Sequence, residues 1–343
     1  MVIAPVDPYG LSEELKAAKE AEIPVIAYDD LIMNTDALKY YVTFGGRQIG
    51  QLIGQEIIDK EELEKLQEAK ESKTIEFFMG SLDDEQALFF YNGLMEKLQP
   101  YLDDGTLVCK SGQITFEETG ILRWSMDEAQ SRAEETLSEF YSDTETPDII
   151  CTGFDGAAEG VLKALRNDGL TLGENWPMIT GVGCDADAVR DIAESEIACS
   201  VFMDRRVLAD QAEDMVNVYL HGEDDPEVND YEQYDNGTKI IASYLCEPQL
   251  INIDNYEILI DNGYYTEDEV KPEATPTPEP TVTPEMTEKP DVTATPEVTE
   301  SPEATITPEV TEESEETATP TPTEKVTPTP KERVTLKRST KNK

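Results

Sequence analysis

Histidine is nearly absent from this 343-residue chain, with one copy at position 221. A zinc centre and a Ser-His catalytic pair are therefore both improbable. Basic residues are scarce too: 27 Lys and Arg face 74 Asp and Glu, a net charge of −47. Such a surface repels phosphate backbones and anionic membranes, which argues against a nucleic-acid partner. Long apolar runs are missing, so nothing reads as a membrane span. The five cysteines (Cys109, Cys151, Cys184, Cys199 and Cys246) are widely spaced and lie mostly in apolar runs. That pattern favours buried free thiols over a disulfide framework or a metal site.

What the chain does contain is an alternation of short apolar runs with amphipathic stretches over residues 1–271, the signature of βαβ units on parallel sheet. Strands are expected at Val2–Val6, Pro24–Tyr28, Tyr40–Phe44, Ile75–Met79, Thr106–Lys110, Asp148–Thr152, Met178–Val182, Ile197–Phe202 and Lys239–Leu245. Helices are expected between them, near Leu11–Ala21, Gln48–Ile58, Asp84–Leu98, Asp127–Tyr141, Ala157–Asn167, Asp185–Ala193 and Arg206–Leu220. The fold class is thus α/β: two Rossmann-like lobes of parallel sheet flanked by helices, the first lobe incomplete. The expected division is 1–60 plus 222–271 for the first lobe and 61–221 for the second. Two such lobes joined by chain crossings form a hinge-closing binder. After Lys271 the composition changes to Thr-Pro-Glu and Val-Thr-Glu units. Proline removes donors and favours extended backbone, so 272–343 is read as a disordered, semi-rigid Pro/Thr-rich tail.

Carboxylates or aromatic residues close five of the strands: Asp7, Asp29-Asp30, Asp83-Asp84, Phe154-Asp155 and Cys184-Asp185. Trp124 stands ahead of a second-lobe helix. In open α/β sheets, ligands sit at the carboxyl ends of strands. Carboxylates accept hydroxyl protons and an indole packs on the C–H face of a sugar ring. Helix capping explains any one of these aspartates, but five at successive strand ends beside a tryptophan favour a polar cleft. Paired carboxylates on separately moving lobes do not suit glycosidase work, so no catalytic residue is assigned.

Several segments resemble the bacterial xylose-binding and multiple-monosaccharide-binding proteins, the sugar-binding subunits of ABC importers. They are Val25-Ile-Ala-Tyr-Asp29, Gly80-Ser-x-x-Asp84, Phe89-Phe-Tyr-x-Gly93, Leu122-Arg-Trp124, Cys184-Asp-Ala-Asp187, Tyr234-x-Asn-Gly237, Ser243-Tyr-Leu245 and Gly263-Tyr-Tyr265. The resemblance runs from Met1 to about Val270. It implies the type I periplasmic-binding fold, a chain lacking the signal sequence and the first two βα units, and an extracytoplasmic monomer. It also implies a monosaccharide ligand, ABC permease subunits or a membrane sensor as partner, and no cofactor. Asp29, Asp84, Trp124, Asp155 and Asp185 match the family's binding positions; Asp7, Asp30, Glu85 and Gln86 are secondary candidates. The match is imperfect. The family places arginine where Asp30 stands, two asparagines at Glu85 and Gln86, glutamine at Cys184 and lysine at Met203. Loss of both cationic donors implies altered sugar specificity, an amino sugar or cationic ligand, or lost affinity. A cation bridging Asp29, Asp30 and Asp84 and a sugar-sensing, surface-displayed role remain alternatives.

Overall fold

The computed structural model describes residues 1–141, 145–173, 175–222 and 225–271; the Pro/Thr-rich stretch lies outside them. From the start, β1 (Val2–Ile3), α1 (Ser12–Glu20), β2 (Val25–Tyr28), β3 (Leu38–Phe44) and α2 (Gly46–Lys60) build the first lobe. A short helix, α3 (Leu63–Ala69), leads into the second. There β4 (Lys73–Phe78), α4 (Glu85–Asp104), β5 (Leu107–Val108), α5 (Phe116–Thr119) and α6 (Met126–Phe140) come first. They are followed by β6 (Ile149–Thr152), α7 (Asp155–Asn167), β7 (Met178–Ile179), α8 (Ala186–Ala193) and β8 (Cys199–Phe202). The described residues close with α9 (Arg205–His221), β9 (Ala242–Cys246), β10 (Gln249–Asn252), α10 (Ile258–Asp261) and α11 (Glu267–Val270). Among the described residues, no helix is long and apolar enough to cross a membrane.

The first sheet has the order β1-β2-β3-β9, every pairing parallel. The second runs β5-β4-β6-β7, also parallel. Single bridges, Thr180 to Cys199 and Gly183 to Phe202, extend it to β8, which pairs antiparallel with β10. Apolar runs such as Val25-Ile-Ala and Ile149-Ile-Cys are buried on both faces, which is why they read as continuous rather than alternating hydrophobics.

The lobes divide differently from the sequence expectation. Helix α9 covers the first sheet, with Leu208, Ala212 and Met215 in one core with Tyr40 and Val42. Residues 249–270 instead complete the second lobe: Leu259 and Val270 are buried in its core, and Tyr264 packs edge-on against Phe202. The chain therefore crosses between lobes after β8 and again after β9. Hydrophobic periodicity identifies a helix but not the sheet it covers.

One core extends between the sheets through α2 and α4. The two helices approach closely because glycines face each other's backbones. A Cβ on Gly50 would overlap the Phe90 carbonyl oxygen, and one on Gly93 would overlap that of Arg47. All five cysteines are unpaired, four of them buried.

Candidate functional site

At the end of β2 the chain turns sharply. Asp29 adopts a left-handed conformation (φ 67°). Its N–H donates to the Val42 carbonyl at 2.9 Å. Its carbonyl accepts from the Tyr41 hydroxyl at 2.5 Å and from Thr43 Oγ1 at 2.9 Å. These bonds hold the backbone inward and leave the Asp29 and Asp30 carboxylates at the rim. The same two hydroxyls accept from Gln86 Nε2 of α4, at 2.8 and 3.3 Å, so a second-lobe helix supports the first-lobe turn.

Across the gap, Asp84 caps α4, its Oδ1 accepting from the Gln86 N–H at 2.8 Å. The capping explanation holds for this residue, yet the side chain still lines the cleft. Beside it, Arg123 and Trp124 are both left-handed (φ 56° and 55°). Such a conformation costs a bulky residue roughly 1–2 kcal/mol. The Arg123 N–H donates to Ser81 Oγ at 2.8 Å, and Ser81 Oγ donates to Asp83, which fixes the turn. The result presents Trp124 edge-on to Phe154, with ring centroids 5.2 Å apart and planes at 86°. Strain of this kind is kept where it serves a site.

Two adjoining cavities lie between these elements. The inner one, about 220 Å³, is lined by Asp29, Asp30, Asp84 and Gln86 with Trp124 and Phe154. The outer one, about 740 Å³, shares Asp30, Asp84, Gln86 and Trp124 and adds Asp83, Glu85, Phe89, Arg123 and Tyr234. Partial desolvation raises the carboxyl pKa values here. Asp30 reaches about 6, helped by Asp29 and Asp84. Asp29 rises for the same first reason, with Arg205 of α9 opposing the rise and Asp84 adding to it. Asp84 and Glu85 rise as well, again chiefly by desolvation.

The sequence candidates thus separate. Asp29, Asp30, Asp84, Glu85, Gln86 and Trp124 come together at the cleft. Asp155, Asp185 and Asp7 line neither cavity. Asp155 is fully buried: Ser200 Oγ donates to it at 2.7 Å and the Asp185 N–H at 2.7 Å. Burial pushes its pKa up to about 7. It ties together the ends of the second-lobe strands. Asp185 sits at the exposed N-terminus of α8. The Asp7 carboxylate folds back to accept from the Tyr9 N–H at 2.9 Å, while Val6, Pro8 and Tyr9 around it line the outer cavity. Cationic groups stand elsewhere around the cleft: Arg123 lines the outer cavity and Arg205 acts on Asp29.

Sequence reasoning missed Tyr41, Thr43, Phe89, Arg123 and Tyr234 as lining residues, while Met203, noted where the family has lysine, does line the inner cavity. Phe89 was within reach of periodicity, lying one turn along the helical face from Gln86. Tyr234 was not: only the returning chain brings it onto Tyr41 and Phe89, at 5.0 and 5.2 Å between centroids.

Two helix-flanked sheets meeting at a cleft lined from both sides define a bilobal solute-binding protein. The profile of the periplasmic binding protein domain matches residues 1–224, and the chain belongs to that family. It is 40% identical over 273 residues to the multiple sugar-binding periplasmic receptor ChvE of Rhizobium radiobacter, covering 79% of this chain and 76% of that one. The D-xylose-binding periplasmic protein of Escherichia coli is 26% identical over 271 residues, covering 79% and 74%. Among solved structures, an ABC transporter solute-binding protein from Clostridium phytofermentans with bound β-D-glucose superposes with a TM-score of 0.71. It is 40% identical and the match covers 79% of this chain and 82% of that one.

Proposed function

We propose that this protein captures a monosaccharide in the cleft between its lobes, outside the cytoplasm, and delivers it to an ABC permease. The observation that carries this reading is the inner cavity, where carboxylates from both lobes face the Trp124–Phe154 aromatic wall. Its volume of about 220 Å³ lies below the range for drug-sized ligands (roughly 300–1,000 Å³) and suits a single sugar ring. Aromatic faces hold the ring's C–H surface, and carboxylates accept from its hydroxyls. The relatives support the assignment, being named for multiple sugars and for D-xylose, as does the glucose-bound neighbour.

The role is binding rather than catalysis. Asp29 and Asp30 stand on the first lobe and Asp84 on the second, so their separation follows the hinge. Asp155, the most buried carboxyl of the group, is engaged by Ser200 and the Asp185 amide. A ligand touching both lobes favours the closed state by its differential affinity for it. Asp29, Asp84 and Trp124 are assigned as the principal contacts, with Asp30, Glu85 and Gln86 beside them.

Thermal melting of the full chain with D-glucose, D-galactose and D-xylose tests this. A ligand that binds only the native state at 100 times its Kd adds about 2.7 kcal/mol. A rise with at least one of these sugars, removed by Trp124→Ala, is expected. A cooperative melt unmoved by any of them refutes the reading.

A further inference from the structure

The polar wall of the inner cavity is unbalanced. Asp29, Asp30 and Asp84 contribute three carboxylates, which are acceptors only when ionised, and no cationic side chain lines it. Gln86 adds no free donor, since its Nε2 donates to the Tyr41 and Thr43 hydroxyls. The hydroxyls that could have supplied protons are committed, since Tyr41 and Thr43 both donate to the Asp29 carbonyl. Trp124 brings the one side-chain N–H that is not on Gln86. None of Asp29, Asp30, Asp84 or Glu85 forms an ion pair with another described residue.

We infer that the cleft selects a monosaccharide carrying a protonated amino group, seated against Asp29, Asp30 and Asp84. This rests on the sugar-binding role proposed above. A neutral sugar supplies one proton and two lone pairs from each hydroxyl, so it meets an acceptor-rich wall with a balanced set. An ammonium supplies three donors and no acceptor, and its charge offsets carboxylates that otherwise repel one another.

The charged groups around the carboxylates come from every element that faces them. Tyr28 lies beside Asp29 on β2; Asp83, Asp84 and Glu85 open α4; Asp235 faces Glu85. Arg205 at the start of α9 offsets part of the charge on Asp29, and Arg123 borders the outer cavity. The balance stays negative. Asp30, with a pKa of about 6, is ionised at neutral pH and protonated at pH 5. A cation therefore gains most from it above that value and least below.

The test is calorimetric titration of the full chain with D-glucosamine, N-acetyl-D-glucosamine and D-glucose at pH 7.0 and 5.0. At pH 7.0, one charge-assisted hydrogen bond gives glucosamine an advantage of about tenfold over glucose and over the neutral acetylated form. The advantage is expected to shrink at pH 5.0. Asp30→Asn, a change at an exposed position, is expected to reduce it at pH 7.0 with the melting temperature retained. If glucose binds and glucosamine binds no more tightly, the amine selectivity is wrong and the sugar-binding role stands. If a folded sample binds none of the three, nor galactose or xylose, both fall. If calcium alone raises the melting temperature and EDTA abolishes sugar binding, a bridging cation replaces the amine and the inference is overturned.

Discussion

Replacing Gly80 by alanine should cripple sugar binding without unfolding the protein. Gly80 follows β4, and the Trp124 ring lies against it. A Cβ there would stand 2.5 Å from Trp124 Cζ3 and 2.8 Å from the Ala87 Cβ. Carbon atoms in contact prefer about 3.5–4.0 Å, so the indole must retreat by roughly 1 Å or more. Its edge-on contact with Phe154 is worth about 1 kcal/mol. A comparable amount is lost from stacking on the sugar, so the total approaches about 2 kcal/mol, or a Kd raised roughly 30-fold. Trp124 is 38% exposed, which lets it move outward, and the melting temperature should fall by only about 2–4 °C. The chain has two tryptophans. A Trp176→Phe background leaves Trp124 as sole reporter, and its emission can be titrated with whichever sugar binds the parent. A Kd within twofold of the parent would refute the packing argument. So would a weakened Kd accompanied by a melting-point loss above 10 °C, because the effect would then be global.

Other perturbations follow from the same geometry. Gly50→Ala in α2 should destabilise by about 2 kcal/mol, since overpacking against Leu94 and the Phe90 carbonyl outweighs alanine's helix preference; denaturant midpoints would show it. Asn236 is fully buried; it donates to the Ile32 and Thr35 carbonyls and accepts from the Thr238 and Lys239 N–H groups. Asn236→Ala should cost about 3 kcal/mol and loosen the 31–36 segment, visible as faster amide exchange there. Asp155 has a folded-state pKa raised above its unfolded value, so its contribution is fully present below about pH 4 and is lost as pH rises through about 7. Asp155→Asn should therefore remove a loss of stability approaching about 1.4 kcal/mol per pH unit between those values. A parent and variant with parallel pH–stability curves would contradict this.

How much of the site was legible can be traced residue by residue. Asp29 and Asp84 were candidates because polar residues follow the apolar runs of β2 and β4, and Trp124 because it stands ahead of α6 in a segment that matches the family. The same strand-end rule nominated Asp155 and Asp185, which line neither cavity. A carboxylate at a strand end can face the cleft or turn back onto its neighbours. That choice depends on Ser200, 45 residues away, whose hydroxyl lies 2.7 Å from Asp155 Oδ1. The Tyr234-x-Asn-Gly segment matched the family without revealing its work, which is to brace the 31–36 segment and place Tyr234 on Tyr41.

By itself the sequence determined the α/β class, the order of strands and helices, the buried free cysteines, the family and the carboxylate-rich character of the cleft. These follow from local periodicity, composition and motifs, which act over a few residues at a time. Tertiary structure decided which lobe α9 and residues 249–270 join, which aspartates line the cleft, and where Arg123 and Arg205 fall. Those outcomes depend on contacts between positions far apart in the chain, and the solvation and partners that such contacts create determine what each side chain can do.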